Sequence, residues 1–186
     1  MAGPNKTAPI MPVNFYDHLK PWAKDLEIVP VGAGANFPPA TIVSVDATGN
    51  AVNYDPAVHN VAVSEEGVSD LVNVESGPQL FVANKSQVYL ALIEGHRLVM
   101  TASFTGATPV IYDPTLHLNQ QFEIVIDPNS GFTFVDLTTV GAGPFTIVDL
   151  YSAPGLPEPL NTALPTERRI NARVVVEVDP AAVFTP

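Results

Sequence analysis

Cysteine is absent from all 186 residues. No disulfide can form, and thiolate zinc sites and cysteine nucleophiles are excluded with it. Basic residues are scarce: eight Lys and Arg stand against 19 Asp and Glu, for a formal net charge of −11. Such a chain repels a phosphate backbone, so nucleic acid is not expected as a partner. Long apolar runs are missing as well. None reaches the about 18 positions of a spanning helix, and no membrane partner is expected. Residues 1–13 hold Pro4, Pro9, Pro12 and a single charge, Lys6, with no apolar stretch of the kind that marks a secretory signal. Sustained 3.6-residue periodicity is also lacking, so no helix longer than about two turns is expected.

What is present is apolar and β-prone. Hydrophobic residues make up 46% of the chain, enough for a core and too many for an acidic disordered segment. The charge is unevenly spread. Residues 1–24 carry three lysines against Asp17, and residues 168–186 carry Arg168, Arg169 and Arg173 against Glu177 and Asp179. Between them lie 16 acids and only Lys85 and Arg97, a net of −14.

Residues 1–25 read as an extended arm, because Pro4, Pro9, Pro12 and Pro21 oppose a regular helix. A short helical turn fits only around residues 17–20. The arm also carries Ile10, Phe15, Tyr16 and the only tryptophan, Trp22, a strip that needs a surface to pack on, either the protein's own body or a neighbour. Residues 26–180 read as one β domain and 181–186 as a C-terminal tail, with a candidate boundary between lobes near 106–109.

Strand signals recur at 26–31, 41–45, 51–54, 58–63, 71–74, 79–83, 87–94, 97–104, 121–126, 132–137, 145–151 and 170–178. Each is a short β-branched or aromatic run bounded by Gly, Pro, Asn or Asp. Gly95-His96 between two such runs predicts a two-residue hairpin turn. Along the last run Ile170, Ala172, Val174, Val176 and Val178 share a face, which predicts a well-anchored strand. Residues 152–167 form a proline-rich stretch too long for a simple connection. The fold expected is an all-β antiparallel sandwich or barrel, jelly-roll-like, with an extended arm and a long proline-rich loop.

Candidate sites are few. Tyr54-Asp55-Pro56-Ala57-Val58-His59 resembles Tyr112-Asp113-Pro114-Thr115-Leu116-His117. Asp before Pro caps one helical turn and brings the histidine back toward the carboxylate, but a metal needs a third ligand that neither segment offers nearby. Glu65, Glu66, Asp70 and Glu75 match no calcium-loop spacing. Gly32-Ala-Gly34 and Gly141-Ala-Gly143 lack the following helix of a phosphate-binding loop and read as turns. The four histidines (His18, His59, His96, His117) sit in unlike contexts, and no nucleophile elbow is present. No catalytic residue, cofactor or metal is therefore assigned, and the chain reads as a non-enzyme.

Residues 79–179 resemble the head decoration and capsid-stabilising proteins of tailed bacteriophages. The resemblance is carried by PQLFVANKS, LIEGHRLVMTASF, TVGAGPFTIVDLYSAPG and the closing RRINARVVVEVDP. It implies a homo-oligomer such as a trimer, made in the host cytoplasm and seated on the outer face of the virion. There it would bind the major capsid protein and copies of itself. This chain is longer than many compact cement proteins. The interface expected on that reading comprises Ile10, Phe15, Tyr16, Trp22, Arg168, Arg169 and Arg173. Two alternatives stay open: a carbohydrate- or surface-binding β module using Tyr89, Tyr112 or Tyr151 as an aromatic platform, and a metal-dependent β-barrel enzyme.

Overall fold

The computed structural model of the chain describes residues 14–16, 25–69, 81–83, 86–151 and 172–186. The 17–20 turn, the 71–74 strand and the 152–167 stretch lie outside them.

Short runs of β-branched residues become two main sheets. The smaller contains β2 (Leu26–Pro30), β3 (Thr41–Val45), β4 (Ala51–Asn53), β5 (Val61–Ser64) and β8 (Gln87–Ala91), in the order β2-β8-β5-β3-β4 and antiparallel throughout. Just beyond β2, Val31 bridges Ala51 of β4 and draws the sheet's two edges together at that end. A separate parallel pair joins β6 (Gly67–Ser69) to β7 (Phe81–Ala83).

The larger sheet contains β9 (Arg97–Ser103), β10 (Gln121–Phe122), β11 (Ile124–Ile126), β12 (Thr133–Asp136), β13 (Phe145–Leu150) and β14 (Ala172–Val178). Its order is β10-β13-β14-β9-β12-β11, and β1 (Asn14–Tyr16) also pairs with β9. Only Glu123 separates β10 from β11, so the two ends of the sheet are consecutive pieces of one bent strand. The sheet therefore curls into a nearly closed barrel, which removes most of its open edge. The architecture is all-β, as the sequence predicts, with a single short helix, α1 (Pro114–His117), among the described residues.

Alternation along each strand assigns side chains to two cores. In β3, Ile42 faces the larger core while Val43 and Val45 face the smaller. In β5, Val61 and Val63 face the larger and Ala62 the smaller. The larger core joins these residues to Leu98, Met100 and Ala102 of β9 and to Ala172, Val174 and Val176 of β14, the face predicted from the valine pattern. β14 sits in the middle of its sheet, between β13 and β9. Where the sheets meet, Thr41 and Thr133 exchange bonds: the Ile42 N–H donates to Thr133 Oγ1 at 3.2 Å and the Thr133 N–H donates to Thr41 Oγ1 at 3.1 Å. Both threonines are buried, so each polar group there is matched without water.

The predicted hairpin about Gly95-His96 does not form. Residues 93–96 do make a tight turn, closed by His96 N–H to Ile93 O at 3.0 Å, with Gly95 at φ +70° in its third position. That turn passes the chain from one sheet to the other: β8 pairs with β2 and β5, and β9 with β14, β12 and β1. The change of sheet thus falls at 92–96, upstream of residues 106–109. At the other end the chain does not simply trail away. After a 3-10 turn at Pro180–Ala182, Val183 bridges Val61 and is buried in the larger core.

Candidate functional site

The two Tyr-Asp-Pro motifs fold alike and lie close to the seam between the sheets. Asp113 caps α1: its Oδ1 accepts the Thr115 N–H at 2.8 Å and the Thr115 hydroxyl at 2.7 Å. His117 then turns back, and its Nδ1 accepts the Asp113 N–H at 2.8 Å. Its ring stacks on Tyr112, with centroids 5.7 Å apart. In the first motif Asp55 Oδ1 accepts the Ala57 N–H at 2.9 Å, and His59 stacks on Tyr54 at 6.5 Å. In both motifs the aspartate carboxylate fastens the turn, and the histidine packs against the tyrosine that opens the motif.

One of the two motifs gains a partner from far along the chain. Glu123, the residue between β10 and β11, accepts the Tyr54 hydroxyl at 2.7 Å through Oε2 and meets His59 Nε2 at 3.1 Å through Oε1. Its own N–H donates to the Thr139 hydroxyl at 2.9 Å. Burial, and then the bond to Glu123, push the Tyr54 phenol well above the usual tyrosine range, so Tyr54 is a hydrogen-bond donor at neutral pH. In this Tyr54–Glu123–His59 cluster a single carboxylate meets both a phenol and an imidazole. Its Tyr54 and His59 come from the small-sheet half and its Glu123 from the large-sheet half, so it clamps the two together. The sequence does not link Glu123 to the motif, because a separation of 64 residues or more leaves no local signal.

Gly143 lets the clamp form. It has φ +79°, and a Cβ there would lie 2.6 Å from Glu123 Cδ and 2.8 Å from Glu123 N. The second Gly-Ala-Gly is thus a turn whose last glycine allows close backbone approach.

A further regularity emerges with the side-chain contacts. Asp46-Ala-Thr48, Asp113-Pro-Thr115 and Asp136-Leu-Thr138 share an Asp-x-Thr spacing, and in each the aspartate Oδ1 accepts both the threonine N–H and its hydroxyl. Asp136, buried, also accepts the Thr105 hydroxyl at 2.7 Å and so ties the end of β9 to β12. Bonds from Asn50 and Thr48 hold the Asp46 carboxyl down at about 2. Asp127 uses the same device with Ser130, accepting its hydroxyl at 2.6 Å. These four acids, like Asp55, fasten turns.

His117 supplies a pH-dependent contribution. Burial pushes its pKa below the usual 6.5, against the pull of the Asp113 carboxylate, and a ring nitrogen that accepts an N–H must stay unprotonated. The folded state then binds fewer protons than the unfolded chain below pH 6.5. Stability from this group is complete above that pH and is lost as pH falls toward the depressed folded value. Urea unfolding from pH 8 to pH 5 is expected to show a falling midpoint in the wild type and a shallower slope in His117→Asn. Equal slopes would remove the assignment.

The expected interface residues are only partly placed. Ile10, Trp22, Arg168 and Arg169 lie outside the described residues, as do His18, Asp70 and Glu75. Phe15 and Tyr16 fall in β1, opposite Leu98 and Arg97 of β9. Arg173, in β14, has its guanidinium 4.6 Å from the centre of the Tyr151 ring, a cation–π contact. Of the three tyrosines considered as a platform, Tyr112 is buried and Tyr151 lies under Arg173, while Tyr89 is 43% exposed. Glu65 and Glu66 form the connection between β5 and β6, where Glu66 accepts the Tyr89 N–H at 3.3 Å. Among the described residues no three acidic or histidine side chains group as a metal site would require. No helix among them is long and apolar enough to cross a membrane.

Comparison with known proteins returns no matching family, no matching curated protein and no matching solved structure.

Proposed function

We propose that this chain is a non-enzymatic structural subunit of a virus particle, a capsid decoration protein that holds to the outer shell through protein–protein contacts. The observation that carries the reading is β1: an arm segment serves as an added strand along the stretch of β9 that β12 leaves uncovered, over three residue pairs. Strand addition of this kind is a general way for an extended segment to bind a folded body, because the backbone supplies the affinity. The body suits the same role. Its aspartates at 46, 113, 127 and 136 are engaged in turns, and its best polar cluster joins two sheets. A net charge of −11 keeps free copies apart until a specific contact forms.

The test is attachment. Capsids of the virus that encodes the chain, stripped of it, are expected to bind the purified full-length protein on co-sedimentation. A version lacking residues 1–24 is expected to lose most of that binding while keeping a β-sheet circular dichroism spectrum. Failure of the full-length protein to bind would overturn the assignment, and undiminished binding by the shortened one would remove the arm from it.

A further inference from the structure

Three of the large apolar side chains exposed on the described surface lie together. Leu26 and Ile28 of β2 are 51% and 48% exposed, and Tyr89 of β8 is 43% exposed. Ile28 and Tyr89 are direct cross-strand partners, and Leu26 is opposite Ala91. Paired residues share a face, so these side chains continue the face on which Ala91, Val63 and Ile42 enter the larger core. The apolar surface runs out of the core onto the outside of the molecule.

β2 is also an edge strand. The Val31 N–H donates to Ser86 O, and the Leu92 N–H donates to Asp25 O, so odd-numbered residues of this segment turn their backbone groups toward β8. The Gly32 N–H points the other way, to Ala51 O. By the same alternation Leu26 and Ile28 aim their N–H and C=O groups at the side away from β8. There β4 is bridged only farther along, at Val31, and no described strand pairs with Leu26 or Ile28. Free backbone groups beside exposed apolar side chains are what an added strand requires.

Charge selects the occupant. Asp25 and Glu27 lie beside or on β2, and Glu66 accepts the Tyr89 N–H. Pairing β2 with β2 of a second copy, centred on Glu27 so that Leu26 meets Ile28, would set two Glu27 side chains opposite one another, which is unfavourable. An acid-free strand is favoured instead. Residues 1–16 contain no Asp or Glu, and residues 1–13 carry Lys6, the apolar Ile10, Met11 and Val13, and three prolines that oppose a helix.

We propose that the open edge of β2, with Leu26, Ile28 and Tyr89, is an interface between copies of this chain, completed by residues 1–13 of a second copy. It does not depend on attachment to a shell, and its test contains none. Sedimentation of the purified full-length chain over a range of concentrations is expected to show reversible self-association. Ile28→Lys and deletion of residues 1–13, which keeps β1, are each expected to raise the dissociation constant by about tenfold or more. Unchanged circular dichroism and urea midpoints would show both variants folded. A wild type that stays monomeric at all concentrations overturns the proposal. So does a truncated chain that associates as tightly as the wild type while Ile28→Lys does not, since that pattern belongs to β2–β2 pairing. An Ile28→Lys variant that associates normally overturns the surface.

Discussion

Replacing Phe145 with alanine is expected to lower folding stability by about 4 kcal/mol, the middle of the range for deleting a buried phenyl ring. Phe145 is fully buried and sits opposite Phe122, also fully buried, across the β10–β13 pair. The Tyr54 ring meets it edge-on, with centroids 6.2 Å apart and planes at 69°. The ring therefore fills the junction between β13, β10 and the first Tyr-Asp-Pro motif, where the surrounding strands are held by their own hydrogen bonds and cannot collapse into the space. Because domains of ordinary size are stable by about 5–15 kcal/mol, this loss is a large fraction of the total. Urea unfolding measures it. Phe145→Leu, which refills much of the volume, is expected to cost about 1.5 kcal/mol. An alanine variant within about 1 kcal/mol of the wild type would mean that the junction is not packed in this way.

Gly143→Ala is expected to cost about 3 kcal/mol, unusually much for adding one methyl group. Two effects combine. At φ +79° an L-residue loses about 1–2 kcal/mol to local strain. The new Cβ would also press on the Phe122 carbonyl oxygen and the Glu123 N–H, which are backbone atoms of β10 and its neighbour and cannot rotate away. Crowding of that kind adds about 1–3 kcal/mol. Gly141 separates the two effects, since its φ is +83° and a Cβ there meets nothing within 4 Å. Gly141→Ala should therefore show the strain alone, about 1 kcal/mol. Equal costs at both positions would rule out the close approach that lets Glu123 reach Tyr54 and His59.

Much of the local structure was readable along the chain. Thr41–Val45 is a strand with the predicted bounds, and Ala172–Val178 places its alternate valines in the core as their spacing requires. Asp113 caps a single helical turn that carries His117 back to the Asp113 backbone. These outcomes depend on neighbours a few residues away, through side-chain alternation, proline geometry and short side-chain-to-backbone bonds. The site was only half readable. Each Tyr-Asp-Pro motif stood out, yet nothing near Glu123 marked it as the partner of the first.

The failed hairpin shows where local information stops. Gly95 does occupy a turn position that requires positive φ, but a turn residue specifies a bend and not which strands pair after it. β8 and β9 are adjacent in sequence and belong to different sheets because each finds a better apolar match elsewhere, β8 with β2 and β5, β9 with β14. The chain by itself determined that it would be all-β, cysteine-free, acidic in the body and punctuated by aspartate-held turns, since composition and near-neighbour chemistry decide those. Tertiary structure alone decided the two cores, the Glu123 clamp and the exposed edge of β2, because burial and pairing between distant residues are set by the whole sum of contacts and leave no mark at any one position.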